Sequence, residues 1–220
     1  MDVRAHARSP SLNRAQRRSL LHGIYAIVNA GPGAVALAQA ALRGGCRIVQ
    51  YRAKGAWSPE DARALRDAAR SYGALFIVND DWKLARTLEA DGVHLGPEDV
   101  ECAQLPSIRA ALGEALIGFS CGTAQEMEAA ARAQLDYAGV GSVFATASKA
   151  DAGEPIGVDG LRRVAAAAPL PVAAIGGITA ENMHEIRAAG VAMAAVLSAL
   201  SKAHDPQAAM AGLVAEWNAR

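Results

Sequence analysis

The sequence predicts a (β/α)8 barrel, the TIM-barrel architecture, in one domain behind a short basic N-terminal extension. Three observations lead there. Eight short apolar runs recur after residue 22, each closing near Asn, Gly, Asp, Arg or another small or polar residue. Ala-rich stretches with helical spacing separate the runs, and strands that alternate with single helices build a parallel sheet. The first run is followed by "NAGPGAV" (29–35), not by GxGxxG. That disfavours an open doubly wound sheet and leaves the closed barrel.

The head comes first. Residues 1–20 hold Arg4, Arg8, Arg14, Arg17 and Arg18 against Asp2 alone. Arg and Ser with almost no acid also mark organelle transit peptides, but a solvated arm or short extra helix is the simpler reading. No strand or motif falls here, so removal of residues 1–18 is expected to leave catalysis within a few-fold of normal. The barrel then occupies residues 21–220.

The runs are "GIYAIVN" (23–29), "CRIVQYR" (46–52), "ALFIVND" (74–80) and "DGVHLG" (91–96), then "ALIGFS" (115–120), "DYAGVGSVF" (136–144), "PVAAIGG" (171–177) and "VAMAAVLS" (191–198). Helix starts are marked between them. Ser58-Pro59-Glu60 puts a cap before a first-turn proline. "TAQE" (123–126) is a capping box. Thr179 reads as the N-cap after "GGI", and Gly44-Gly45 and Gly190 suit helix ends. The longest loop candidate is 145–160, the length of a functional lid.

Composition excludes several classes. The chain is 52% hydrophobic and 20% charged with zero net charge, so it can bury a large core and lacks the basic field of a nucleic-acid binder. No apolar run is long enough for a membrane span, because Pro169 and Pro171 break the best one. Cys46, Cys102 and Cys121 show no CxxC spacing and read as reduced thiols of a cytoplasmic protein.

In a parallel barrel the C-terminal strand ends carry the chemistry. Gln50, Arg52 and Lys54 lie two apart at the end of the second run, so they share one face of an extended chain. Two cations there, about 7 Å apart, repel by about 2 kcal/mol at an effective dielectric near 20. An anion between them reverses the sign. "VNDD" (78–81) offers two carboxylates, one to cap the next helix and one free to enter the mouth. Asp99 either caps a helix or joins that carboxylate on magnesium, which takes one or two carboxylates plus phosphate oxygens. His94 lies on the strand itself and reads as a packed core histidine. Thr146, Ser148 and Lys149 add two hydroxyls and a cation. Glycines in "AAIGGIT" (173–179), followed by "VLSAL" (196–200), form the usual phosphate cup of barrel enzymes. Two anion sites on one face call for two phosphorylated ligands, or one with phosphates at both ends.

"QYRAK", "FIVNDD", "DGVHLGPED", "GSVFATASKAD" and "IGGIT…VLSAL" together resemble the thiamine-phosphate synthase (thiamine-phosphate pyrophosphorylase) family, in order, over residues 23–215. The resemblance implies a cytoplasmic transferase that joins hydroxymethylpyrimidine diphosphate to a thiazole phosphate, with Mg2+ assisting and diphosphate leaving. It further implies that the C–O bond breaks first and that the thiazole nitrogen then attacks the resulting methylene cation. It implies that Arg52, Lys54, Asn79 and Lys149 hold the diphosphate, and Asp80 and Asp99 the metal. Gln50 and Ser120 would touch the pyrimidine or its diphosphate arm. Thr146 and Ser148 would lie near the thiazole phosphate, which the backbone of Gly177, Leu197 and Ser198 would bind. Arg52, Lys54, Lys149 and Ser120 would be catalytic. The partners are these small molecules, with no nucleic acid or membrane. The oligomeric state is open, a homo-oligomer included.

The chain departs from the family pattern at Ser142 and Ala145, where prolines are usual, at Pro97 and at Gly122. The related thiazole tautomerase is the nearest alternative, but it uses a histidine where Gly122 stands and lacks much of the charged set. A non-catalytic sensor of phosphorylated thiamine precursors is a second, and a metal-free tryptophan-pathway isomerase a third.

Overall fold

A computed structural model describes residues 12–54, 58–146 and 154–219. Eight parallel strands close on themselves in chain order: β1 (Gly23–Asn29), β2 (Ile48–Arg52), β3 (Leu75–Asn79), β4 (Gly92–Leu95), β5 (Leu116–Ser120), β6 (Tyr137–Val140), β7 (Val172–Ile175) and β8 (Met193–Val196). Each expected run contains one of them. A strand buried on both faces carries no alternation, which is why these segments read as continuous apolar runs.

Helices wrap the barrel: α1 (Arg14–Ser19), α2 (Ala34–Arg43), α3 (Pro59–Ser71), α4 (Trp82–Thr87), α5 (Leu105–Leu112), α6 (Ala124–Arg132), α7 (Gly157–Ala167), α8 (Met183–Ala188), α9 (Ser198–Ser201) and α10 (Pro206–Asn218). Ser58 caps α3, accepting from the Asp61 amide, and Thr123 and Glu126 form the capping box of α6. Thr179 does not cap α8. The chain makes a further turn first, and Asn182 takes the N-cap position while its side chain accepts from the Thr179 amide at 2.9 Å.

Register sets what faces the interior. Tyr25 pairs with Ile48, Ile27 with Gln50, Gln50 with Ile77, Ser120 with Gly139 and Ala173 with Met193. Ile48, Leu75, Leu116 and Met193 fill the lower barrel and are fully buried. Toward the C-terminal strand ends the inward positions turn small or polar, and the barrel opens there. A second, larger apolar layer lies between sheet and helices, with Val49, Phe76, Leu65 and Met210 in it.

The lower rim is closed by α1. Arg14 Nε bonds Asp136 at 2.8 Å and Arg17 Nε bonds Asp91 at 3.0 Å. Arg109 reaches Asp136 from the other side at 2.8 Å. Asp136 is wholly buried, and its Oδ2 also accepts from the Ile117 amide. Arg18 adds a longer contact to Asp136 at 3.6 Å, so three of the head's arginines are ion-paired to carboxylates at the bottom of the barrel. Deleting residues 1–18 should leave kcat within a few-fold, because the mouth lies at the other end. It should still lower Tm. Loss of charge-assisted bonds worth about 2–3 kcal/mol shifts a chain of this size by roughly 5–10 °C. Thermal unfolding of the truncated protein is the check, and an unchanged Tm would show that Arg109 alone satisfies Asp136.

Candidate active site

One cavity of about 520 Å3 occupies the mouth. Gln50, Arg52, Lys54, Asn79 and Asp80 line it from β2 and β3, and Asp99 and Ser120 from the next two loops and strands. Thr146, Gly177, Leu197 and Ser198 line it from the opposite side. Ser148 and Lys149 lie outside the described residues.

The β2 face behaves as its spacing requires. Gln50 is buried, Arg52 half-buried and Lys54 exposed at the rim. Arg52 donates to Asn29 Oδ1 at 3.2 Å, an anchor from β1 that the run pattern did not single out.

After β3 the two aspartates separate. Asp81 caps α4, accepting from the Lys83 and Leu84 amides at 2.9 Å. Asp80 sits in the left-handed region with φ of 66°. Asp tolerates that conformation better than most residues. The turn directs its carboxyl away from the helix and into the cavity. Asp99 is no helix cap either: its Oδ2 accepts from the Gly96 amide at 2.6 Å, within its own loop.

Asp80 and Asp99 face each other closely enough for each charge to oppose the other. Burial, then the neighbouring Asp99 carboxylate, push the Asp80 carboxyl up to about 6, while Arg52 and Lys54 pull it down. Two carboxylates this close need a shared proton or a cation between them. Hard oxygen donors, half-open to a cavity lined with cations, fit a magnesium ion that completes its shell with phosphate oxygens and water. Among the described residues there is no cluster of three or more His, Cys, Asp or Glu side chains that could hold a metal ion.

On the other side, Gly176 and Gly177 follow β7 with φ of 104° and 66°. A Cβ on Gly177 would lie 2.7 Å from Phe144 Cβ and 2.8 Å from the Ala145 carbonyl, and one on Gly176 would overlap Ser142 Oγ. Asn182 Nδ2 donates to the Gly177 carbonyl at 2.9 Å and fixes that peptide. Beyond β8, Leu197 and Ser198 open the single turn α9, whose first amides lack helical partners. Ser142, where the resemblance leads one to expect proline, is buried and donates to the Phe144 carbonyl at 3.0 Å, which closes the local turn.

His94 is not simply packed in the core. It lines the cavity, with Nδ1 at 3.2 Å from Tyr137 Oη and Nε2 at 3.1 Å from Ser120 Oγ. Enclosure of the ring lowers its pKa to about 4, so it is a neutral imidazole. Sequence patterning missed Tyr25 and Tyr137, because both stand in uniformly apolar runs.

The family model described as thiamine monophosphate synthase matches residues 24–200. A thiamine-phosphate synthase of Acidithiobacillus ferrooxidans is 43% identical over 213 residues, 91% of this chain and 96% of that protein. The thiamine biosynthesis bifunctional protein ThiM/ThiE of Symbiobacterium thermophilum is 47% identical over 182 residues, 81% of this chain; the match spans only 37% of that longer protein. Among solved structures, the thiamine phosphate pyrophosphorylase of Pyrococcus furiosus superposes with a TM-score of 0.80 at 35% identity, covering 92% of this chain and 99% of that one. The family match runs from the first barrel strand into α9, takes in both sides of the cavity, and makes the chain a member of the thiamine monophosphate synthase family.

Proposed function

We propose that the protein is a thiamine-phosphate synthase: it condenses hydroxymethylpyrimidine diphosphate with thiazole phosphate and releases diphosphate. The observation that carries this is the pairing of two unlike anion sites across one cavity. One is cationic and acidic, built from Arg52, Lys54, Asn79, Asp80 and Asp99. The other is a backbone cup at Gly176, Gly177 and Ser198. A diphosphate and a monophosphate need that difference. Among the described residues no helix is long and apolar enough to cross a membrane.

The residues divide the work. Arg52 and Lys54 flank the diphosphate, whose charge rises as its C–O bond breaks. Fixed cations therefore stabilise the transition state more than the ground state. Lys149, outside the described residues, is assigned to the same group by the resemblance alone. Magnesium, when bound at Asp80 and Asp99, would neutralise further diphosphate oxygens. The backbone cup holds the thiazole phosphate so that its ring nitrogen faces the pyrimidine methylene, and Thr146 flanks that phosphate; Ser148 is assigned to it by the resemblance alone. Ile27, Ala173 and Ala195 are apolar walls that keep water from the reacting carbon. The nitrogen attacks with its own lone pair, so no general base is needed.

Gly122 argues against the tautomerase. A glycine carries no side chain, so position 122 supplies no imidazole to the cavity it lines. The test is one assay with both substrates, with and without Mg2+, following diphosphate release. Mg2+-dependent release that needs both substrates is expected. Release of none would overturn the synthase reading, and full release in excess chelator would remove the metal.

A further inference from the structure

At the floor of the cavity Gln50 and Ser120, which the resemblance sets against the pyrimidine, are joined by a chain of side-chain hydrogen bonds through three residues with no role so far. Gln50 Nε2 donates to Tyr25 Oη at 2.7 Å. Tyr25 Oη and Tyr137 Oη are 3.0 Å apart. Tyr137 Oη is 3.2 Å from His94 Nδ1, and His94 Nε2 is 3.1 Å from Ser120 Oγ. Five residues from β1, β2, β4, β5 and β6 thus join across the barrel. Space for them is reserved: a Cβ on Gly118 would overlap the Tyr137 ring, and one on Gly139 would sit 2.8 Å from His94 Cε1.

With the Gln50 amide nitrogen toward Tyr25, counting protons gives the direction. Tyr25 Oη accepts from Gln50 and has one proton of its own to place. Among the described residues its other partner is Tyr137 alone. If Tyr137 donated to Tyr25 instead, the Tyr25 proton would be buried without an acceptor, which is costly. So Tyr25 donates to Tyr137, Tyr137 donates to His94 Nδ1, and the single proton of the neutral imidazole sits on Nε2 and points at Ser120 Oγ. Ser120 then accepts from below and is left with its hydroxyl proton for the cavity. At the other end the Gln50 amide nitrogen is committed to Tyr25, and its oxygen is not among the sealed atoms that lack a partner, so it opens onto the cavity.

We infer that Tyr137 is a positioning residue that polarises this chain, so that Gln50 presents an acceptor and Ser120 a donor to the substrate ring. An aminopyrimidine carries the complementary pair, an exocyclic N–H donor and a ring-nitrogen acceptor. A thiazole has no such pair. The ligand assignment rests on the synthase reading; the proton direction does not.

The test has two arms. In the ligand-free protein, 15N spectra of the imidazoles, with His94 assigned by its loss in His94→Gln, should show a protonated Nε2 and a bare Nδ1 at neutral pH. A proton on Nδ1 overturns the inference whatever the protein catalyses. Tyr137→Phe removes the donor to Nδ1 and should leave His94 as mixed tautomers. Tyr25→Phe keeps that donor and should leave the tautomer fixed, which guards against a misfolded Tyr137 variant. In turnover, Tyr137→Phe should raise KM for the pyrimidine diphosphate by about tenfold, the scale of one buried hydrogen bond. KM for the thiazole phosphate should stay within about twofold on the same scale. Equal changes in both, or none, overturn the positioning role. Wild-type protein without turnover would instead defeat the synthase reading and leave the first arm standing.

Discussion

Asp80→Asn and Asp99→Asn should each fold normally and turn over about a hundredfold more slowly, the scale of losing one electrostatic stabiliser worth about 3 kcal/mol. Both substitutions are chosen to spare the backbone. Asn is the residue that best follows Asp into the left-handed conformation, so the φ of 66° at position 80 is kept. At position 99 an amide oxygen still accepts from the Gly96 N–H. What changes is charge. The Asp80 carboxyl already sits up at about 6 because burial and Asp99 oppose its ionisation. A dication relieves both carboxylates at once, and one remaining carboxylate holds it less firmly. Each variant should need more Mg2+ for half-saturation. The double variant should lose less than the product of the two, since both act through one ion. Melting curves near wild type, Mg2+ titrations and kcat are the measurements. Undiminished activity in both variants would remove magnesium from this pair and return the site to the tautomerase or sensor alternatives.

How far the sequence reached depended on which interactions were local. The eight strands were legible because parallel strands covered on both faces must be apolar throughout. Arg52 and Lys54 stood out because period-two spacing places like charges together, and nothing local explains that. Asp80 and Asp81 could not be told apart by type, since both cap helices equally well. Only the left-handed turn at Asp80 separates them. Thr179 misleads because a hydroxyl after a glycine pair looks like a cap, whereas the chain inserts a turn and puts Asn182 at the N-cap position, its side chain bonded back to Thr179. The partners of Arg14 and Arg17 are Asp136 and Asp91, 122 and 74 residues away, a pairing no charge count reveals. Tyr25 and Tyr137 were invisible for the same reason the strands were visible. A run that is apolar everywhere does not say which of its residues faces the barrel interior. Ser148, Lys149 and most of the first half of the lid candidate at 145–160 lie outside the described residues.

Gly177→Val should raise KM for the thiazole phosphate by about a hundredfold or more, while KM for the pyrimidine diphosphate moves only a few-fold. Position 177 combines two constraints. Its φ of 66° is one a β-branched residue strongly resists, at a cost of about 1–3 kcal/mol. Its missing side chain is also space: a Cβ would press on Phe144 Cβ at 2.7 Å and on the Ala145 carbonyl at 2.8 Å. Relief of that overlap moves the 144–146 segment, and Thr146 with it, at the wall where the phosphate belongs. The amides at 177 and 198 then cannot both reach one anion. Backbone strain alone is separable from loss of the cup. Gly190, between α8 and β8 at the other end of the barrel, has φ of 82°, and a Cβ added there would meet nothing within 4 Å. Gly190→Val therefore carries comparable strain without touching the mouth. It should lower Tm and leave both KM values near wild type. If Gly190→Val raises KM for the thiazole phosphate as much as Gly177→Val does, the effect is strain and the cup at 176–177 is not the phosphate site. If Gly177→Val weakens both substrates equally, the two anion sites are not separate, and the division of labour across the cavity fails with them.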